Sequence, residues 1–511
     1  MNSKSTFLRH ALIYLIVAVV GFLAAFFIDH GPARAISEIK SNLDDEIAQQ
    51  TDIEKDIEKI GTIGTSLSQI GKPWGSVEGI TMFRGSPTRT WYGKGPLPSE
   101  LKVSWRYPEK PMCSFSEAEG ETKQWCGSGW TGQPVVWERP DGVTEVIFGA
   151  YDGAVHFVNA KTGEDTRPAF QTGDLIKGSV TLDPNGYPLL YFGSRDNNLR
   201  ILALDGDPTL PPTEVWRLNA DAVKGVWNND WDGNPVVVND MLFEGGENSW
   251  FFITKLNRSY DENGKVVIAP KIVFQTPGYN ETLFKEIGDK MVSIEDSVTF
   301  FGNRVYFANS GGRVLGFDFS DAVNGNVPMV FDYWVGDDTD ATIVVDEKGM
   351  LYVSSELERM NERSAQLGQL IKLNPYKTGE DAYIWGVDVP KEQMAVGGIW
   401  ATPAISNGYL YVPTHTGKLL TVETETGTVT NTDIIGDHAW ASPSIIGNKL
   451  LVPTCFPAGL RQYDLANPEK PKLTNAMTGL TGGCIESTPS VWKGQIFVGS
   501  RDGYFYSFVQ K

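Results

Sequence analysis

The chain has 511 residues and a formal charge of −19, with 54 glycines, 15 tryptophans, 25 phenylalanines and 18 tyrosines. That length is too great for one small core. So acidic a chain also lacks the basic footprint of a nucleic-acid binder.

Residues 1–10 carry Lys4, Arg9 and His10, and Ala11 to Ile28 is an unbroken apolar run of 18 residues. That run reaches the lower bound for a spanning helix and is long for a cleaved signal core. The positive end stays in the cytoplasm, which places everything after it outside. Ala33-Arg34-Ala35 resembles a small-x-small cleavage site. Residues 1–35 are therefore expected to be a transmembrane signal anchor or a signal peptide. Both put the remainder in the periplasm or at the cell surface, secreted if the chain is cut after Ala35. No cysteine closely follows the apolar run, which speaks against a lipoprotein.

Residues 36–79 form the second unit. Ile36, Ile39, Leu43, Ile47, Ile53, Ile57 and Ile60 recur mostly at spacings of three and four, which predicts a short amphipathic helical stalk. Residues 61–75 look like a linker. The cysteines are Cys113, Cys126, Cys455 and Cys484. An exported chain with an even count suits two bridges, and we expect Cys113 with Cys126 and Cys455 with Cys484. The alternative is four free thiols in a reducing space. The spacings are not those of a metal site or a haem attachment motif.

From residue 80 onward the chain repeats. The stretch from Trp400 to Gly427 reads as three short strands, the first two joined at Asn407-Gly408 and the next two at Thr416-Gly417. Asn-Gly between alternating residues is a strong hairpin signal, because the tight turn needs positive φ twice. Three strands alone cannot bury their apolar face and must stack on copies of themselves. With Pro403 as anchor, the copies begin at Pro134, Val180, Pro235, Val298, Ile343, Pro443 and Pro489, spaced 40 to 63 residues apart. Eight such units predict an all-β, eight-bladed β-propeller over residues 80–511. The last unit ends on its third strand, and Leu101 to Arg106 is expected to supply its fourth and close the ring.

Phe83 to Tyr92, followed by Leu97-Pro98 and Val103-Ser104-Trp105-Arg106, resembles the lead-in of the pyrroloquinoline-quinone-like repeat propellers. The blade signature is similar too: a strand, Gly-x-x-Asp-Gly, an apolar strand, then Thr-Gly. This family includes quinone-dependent alcohol dehydrogenases and non-catalytic relatives such as the envelope lipoprotein of the outer-membrane β-barrel assembly machinery. The resemblance implies pyrroloquinoline quinone (PQQ) and calcium as cofactors if the chain is an enzyme. The dehydrogenases carry two adjacent cysteines against the quinone, and this chain has no Cys-Cys pair. The resemblance is thus nearer the non-catalytic members, and no catalytic residue is assigned.

In a propeller the residues just ahead of each first strand face the channel mouth. Three positions ahead of the anchors stand Thr131, Lys177, Asp232, Glu295, Asp340, Trp400, Trp440 and Glu486, with Trp130 and Trp231 one residue further back in their units. Clustered carboxylates suit a hard cation such as calcium, and flat indoles suit a planar ring or a sugar face. The bland alternative is solvated loop ends around a water-filled channel, with tryptophans packing between blades. Val226 to Asn234, dense in Trp, Asn and Asp, is where an insertion into the channel is expected. His156 and His415 read as packing or turn residues, leaving His438 as the histidine at the ring. The expected function is a membrane-anchored extracytoplasmic binding or scaffold module for an envelope protein or a small ligand. The alternatives are a PQQ- and calcium-dependent oxidoreductase and a carbohydrate or small-ligand sensor.

Overall fold

The computed structural model describes residues 66–118, 121–130, 132–392 and 396–511. The apolar run at 11–28, the stalk at 36–60 and ring position Thr131 lie outside them. Among the described residues no helix is long and apolar enough to cross a membrane.

Each of the eight anchors stands one residue ahead of a short inner strand. These strands are Val135–Glu138, Thr181–Leu182, Val236–Val238, Thr299–Phe301, Val344–Val345, Ala404–Ser406, Ser444–Ile446 and Ser490–Trp492. Each opens a four-stranded antiparallel meander, here called blades 1 to 8. The middle strands are covered on both faces by neighbouring blades, so they read as apolar runs. Leu189–Ser194 and Asn198–Ala203 of blade 2 are buried throughout, whereas its outer strand Thr213–Asn219 alternates. At the tip of the first hairpin of blade 6, Asn407 and Gly408 have φ of 51° and 79°, the pair of positive values that a type I′ turn requires.

Every apolar cluster joins consecutive blades. Blades 1 and 2 share Ile147, Val180 and Phe192, and blades 3 and 4 share Phe243, Phe251 and Phe307. Phe251 of blade 3 stacks on Phe307 of blade 4 at 4.7 Å, and Phe148 of blade 1 on Phe505 of blade 8 at 3.9 Å. The core is therefore a ring of thin layers, each completed by the next blade.

Leu101–Tyr107 pairs antiparallel with Phe505–Gln510 and closes blade 8. Gly93–Lys94 and Gly79–Ile80 cap the inner strands of blades 8 and 1. Between them, the lead-in crosses the hub. Arg84 donates to the carbonyls of Thr402 (2.5 Å), Pro403 (2.6 Å) and Pro443 (3.0 Å). Arg89 donates to the carbonyl of Val298 (2.8 Å) and to Asn234 Oδ1 (2.8 Å). Two buried arginines thus tie the first strands of blades 3, 4, 6 and 7 to one segment and plug the channel at the level of the anchors. The described part of the expected linker also packs on the propeller. Leu67 is buried in the layer between blades 3 and 4, and Trp74 Nε1 donates to the Val237 carbonyl.

Both expected disulfides are present, Cys113–Cys126 and Cys455–Cys484. The segment that the first bridge closes is a two-stranded hairpin, Cys113–Ala118 with Glu121–Cys126.

Candidate functional site

Above the plug, the loops that lead into the inner strands converge. Asp232, Glu295, Asp340, Trp400 and Trp440, five of the expected ring residues, line one small cavity of about 20 Å³ together with Trp130 and Glu356. It shares Trp130, Glu295, Asp340, Glu356 and Trp400 with a wider cavity of about 640 Å³ that also reaches Lys177, Arg195, Glu247, Asp338 and Glu358. Trp125 and Glu117 of the disulfide-closed hairpin and Trp227 lie along its wall.

Two carboxylate triads define the floor. Asp230, Asp232 and Glu247 bring one ligand-capable oxygen each within 4.8 Å of one another, and so do Asp338, Asp340 and Glu356. The reason is local. In Asp230-Trp231-Asp232 and Asp338-Thr339-Asp340 the acids at i and i+2 come to one side, while the middle residue is fully buried and lines neither cavity. Each glutamate arrives from the end of its blade's second strand. Sequence reasoning missed Asp230, Asp338, Glu247 and Glu356. The Asp-x-Asp alternation was a readable signal for the first two.

The same alternation corrects Trp231. It is fully buried beside Tyr191 and Phe252 in the layer between blades 2 and 3, and lines neither cavity. The rest of its segment does reach the channel: Trp227 lines the wide cavity and Asn228 donates to Glu247 at 2.7 Å. Glu486 also stands apart from the cavities. It lies 3.6 Å from Arg501, and burial pushes its pKa up to about 7 although Arg501 opposes the rise.

Lys177 bridges the first triad. Its ammonium contacts Asp232, sits 3.1 Å from Glu247 and 3.8 Å from Asp230, and lies over the Trp130 ring at 5.7 Å. Arg195 Nε adds a second cation at 2.8 Å from Asp230. Burial still pushes the Asp230 pKa up to about 8 and that of Asp232 well above the usual carboxylate range. Only Glu247 is held low, its burial outweighed by Lys177, Asp232 and Arg195 together. Burial works against the Lys177 charge, yet the surrounding carboxylates hold its pKa well above the ordinary value. At the second triad burial and mutual repulsion act together, and Asp338, Asp340, Glu356 and the neighbouring Glu295 are all pushed well above the usual carboxylate range.

The tryptophans form the opposite wall. Trp400 stacks on Trp440 at 4.8 Å, and Trp130 meets them at 6.0 and 5.8 Å. His415 belongs to this wall with His438, which corrects the expectation of a single histidine there. Trp440 Nε1 donates to His415 Nδ1 at 2.8 Å. Burial pulls the His415 pKa down to about 4, with the neighbouring His438 pulling the same way, so His415 is neutral at neutral pH. His156 lies elsewhere, bonded to Tyr107.

Among solved structures the chain resembles quinohemoprotein alcohol dehydrogenase from Comamonas testosteroni, with TM-score 0.53 and 13% identity over 90% of this chain and 84% of that one. The likeness is one of fold. BamB from Moraxella catarrhalis overlays with TM-score 0.41 and 11% identity over 81% of this chain and 98% of that one. A computationally designed protein, Ika8, gives 0.48 and 10%, over 71% and 93%. No family model matches the chain, and no curated protein matches it.

Calcium and PQQ, the cofactors that the family resemblance implies, suit this donor set unequally. Three carboxylates within 4.8 Å are what a hard cation with oxygen ligands at about 2.3–2.6 Å bridges, so Asp338, Asp340 and Glu356 fit calcium. The quinone fits poorly. PQQ is a polycarboxylate, and the Lys177 and Arg195 cations on this wall are already paired with Asp230, Asp232 and Glu247. Its carboxylates would meet buried carboxylates. The disulfides link residues 13 and 29 apart, not the adjacent pair of the dehydrogenases.

Proposed function

We propose that this chain is a non-catalytic binding propeller of the cell envelope, held to the membrane through residues 11–28 with its axial cavity as the ligand site. The axial cavity carries the reading: about 640 Å³, rimmed by a disulfide-closed hairpin, walled by tryptophans and floored by buried carboxylates. Sites for small ligands have this form, a concave hollow with aromatic walls and a few convergent polar groups. The anchor and the extracytoplasmic location rest on the apolar run and its positive flank. An envelope protein remains the alternative occupant of the propeller faces.

The test is a thermal-shift panel on the full chain with amines, neutral sugars, calcium alone, and PQQ with calcium. Binding by one class that is lost in Trp400→Ala supports the cavity. Failure of every class to raise the melting temperature overturns it. Quinone absorbance retained after gel filtration, with dye reduction, would favour the oxidoreductase. Resistance to carbonate extraction and digestion of the propeller by external protease are the results expected of the anchor.

A further inference from the structure

The two carboxylate triads are one structure built twice. Asp230 and Asp338 each stand five residues ahead of their anchors, Pro235 and Ile343, and Asp232 and Asp340 stand three ahead. The Glu247 amide donates to the Asp230 carbonyl at 2.9 Å, and the Glu356 amide to the Asp338 carbonyl at 2.7 Å. The preceding blades match as well. Lys177 and Glu295 each stand three residues ahead of Val180 and Val298. The Arg195 amide donates to the carbonyl two residues before Lys177, at 3.0 Å, and the Ser310 amide to the carbonyl two residues before Glu295, at 2.8 Å.

The charge differs. In the first copy Lys177 and Arg195 pair with the triad, two cations among three carboxylates. In the second these positions hold Glu295 and Ser310. The cation near the second copy is Arg359, whose nearest approach is 4.0 Å to Asp338, while its Nε is 3.0 Å from Asp289. Glu356 is 2% exposed, lines the cavity and has neither a hydrogen-bonding nor an ionic partner for its carboxylate among the described residues. A buried carboxylate without a partner calls for one.

We propose that the second triad binds the ammonium group of a di- or polyamine, in the place that Lys177 fills in the first. This deepens the binding function above and rests on it. The first copy shows what the arrangement accepts: a primary ammonium among three carboxylates and over an indole. The rest of the ligand extends into the wide cavity along Trp400 and Trp130. Indole faces attract and desolvate an organic cation, but they give a hard metal ion no donor. The cavity is also far larger than a bare ion needs.

Calorimetric titration of the full chain with 1,4-diaminobutane and spermidine tests this, with 1,4-butanediol and calcium alone as controls. Binding of the amines and not of the diol is expected. Glu356→Gln should weaken it tenfold or more. Glu295→Lys rebuilds the first copy's lysine in the second, so it should raise the melting temperature and abolish amine binding. Amine binding unchanged in either variant is surface attraction to an acidic chain and overturns the proposal, as does calcium binding without amine binding. If a sugar binds in the cavity and amines do not, this inference fails and the binding function stands. If no class binds, both fail.

Discussion

Arg84 and Arg89 are fully buried and have left-handed backbone, φ 52° and 59°, conformations that cost energy in a non-glycine residue. Their hydrogen bonds to first-strand carbonyls offset that cost. Burial pulls their pKa values down to about 10 and about 9, which leaves both charged at neutral pH. Arg84→Ala orphans three buried carbonyls and should cost about 3 kcal/mol, at about 1 kcal/mol for each lost partner, measurable as a fall in the urea midpoint. The second triad carries a different signature. Raised acid pKa values mean that the unfolded chain, with ordinary carboxylates, releases protons first as pH rises. The free protein should therefore lose stability as pH climbs above the ordinary carboxylate range. The groups facing Glu356 are Asp338, Asp340, Glu358 and Glu295, with Arg359 at the edge of the cluster and Lys177 within electrostatic reach of Asp340. Glu356→Gln should flatten the decline, followed as melting temperature against pH. Amine affinity should rise over the same range, since only ionised carboxylates hold an ammonium.

At the scale of elements, the Cys113–Cys126 hairpin stands over the cavity with Trp125 and Glu117 on its inner side. Replacing both cysteines by serine should cost up to about 3 kcal/mol for a loop of this size. It should also weaken ligand binding, because the rim is no longer fixed; denaturant midpoint and titration read the two effects separately. The inner strands were readable because turn chemistry punctuates them: all eight anchors fall one residue ahead of a strand, and counting back three reached five residues of the small cavity. Trp231 alternates with Asp230 and Asp232 and turns into the layer between blades 2 and 3, which a count of positions from the anchor does not reveal. Glu247 and Glu356 were out of reach for another reason. They lie 12 and 13 residues beyond their anchors, and only the return of the second strand brings them beside the aspartates. The arginines of the lead-in looked like part of a family motif, and nothing local announces that they cross the hub.

Over the whole molecule, closure by Leu101–Tyr107 makes the layers interdependent. Trp105 lies against Phe505 and Phe497 of blade 8 and donates from Nε1 to the Ala160 carbonyl of blade 1 at 2.9 Å. Trp105→Ala should cost about 3–5 kcal/mol, the usual range for a core tryptophan, and shift one cooperative transition rather than melt a single blade. Closure also sets the registers that bring blades 2 to 5 to one cavity, and with them a cation-filled triad beside one that has no lysine of its own. The most direct measurement is calorimetric titration of wild type and Glu295→Lys with 1,4-diaminobutane. The account predicts binding to wild type and none to a more heat-stable Glu295→Lys. Equal binding by the two would contradict it.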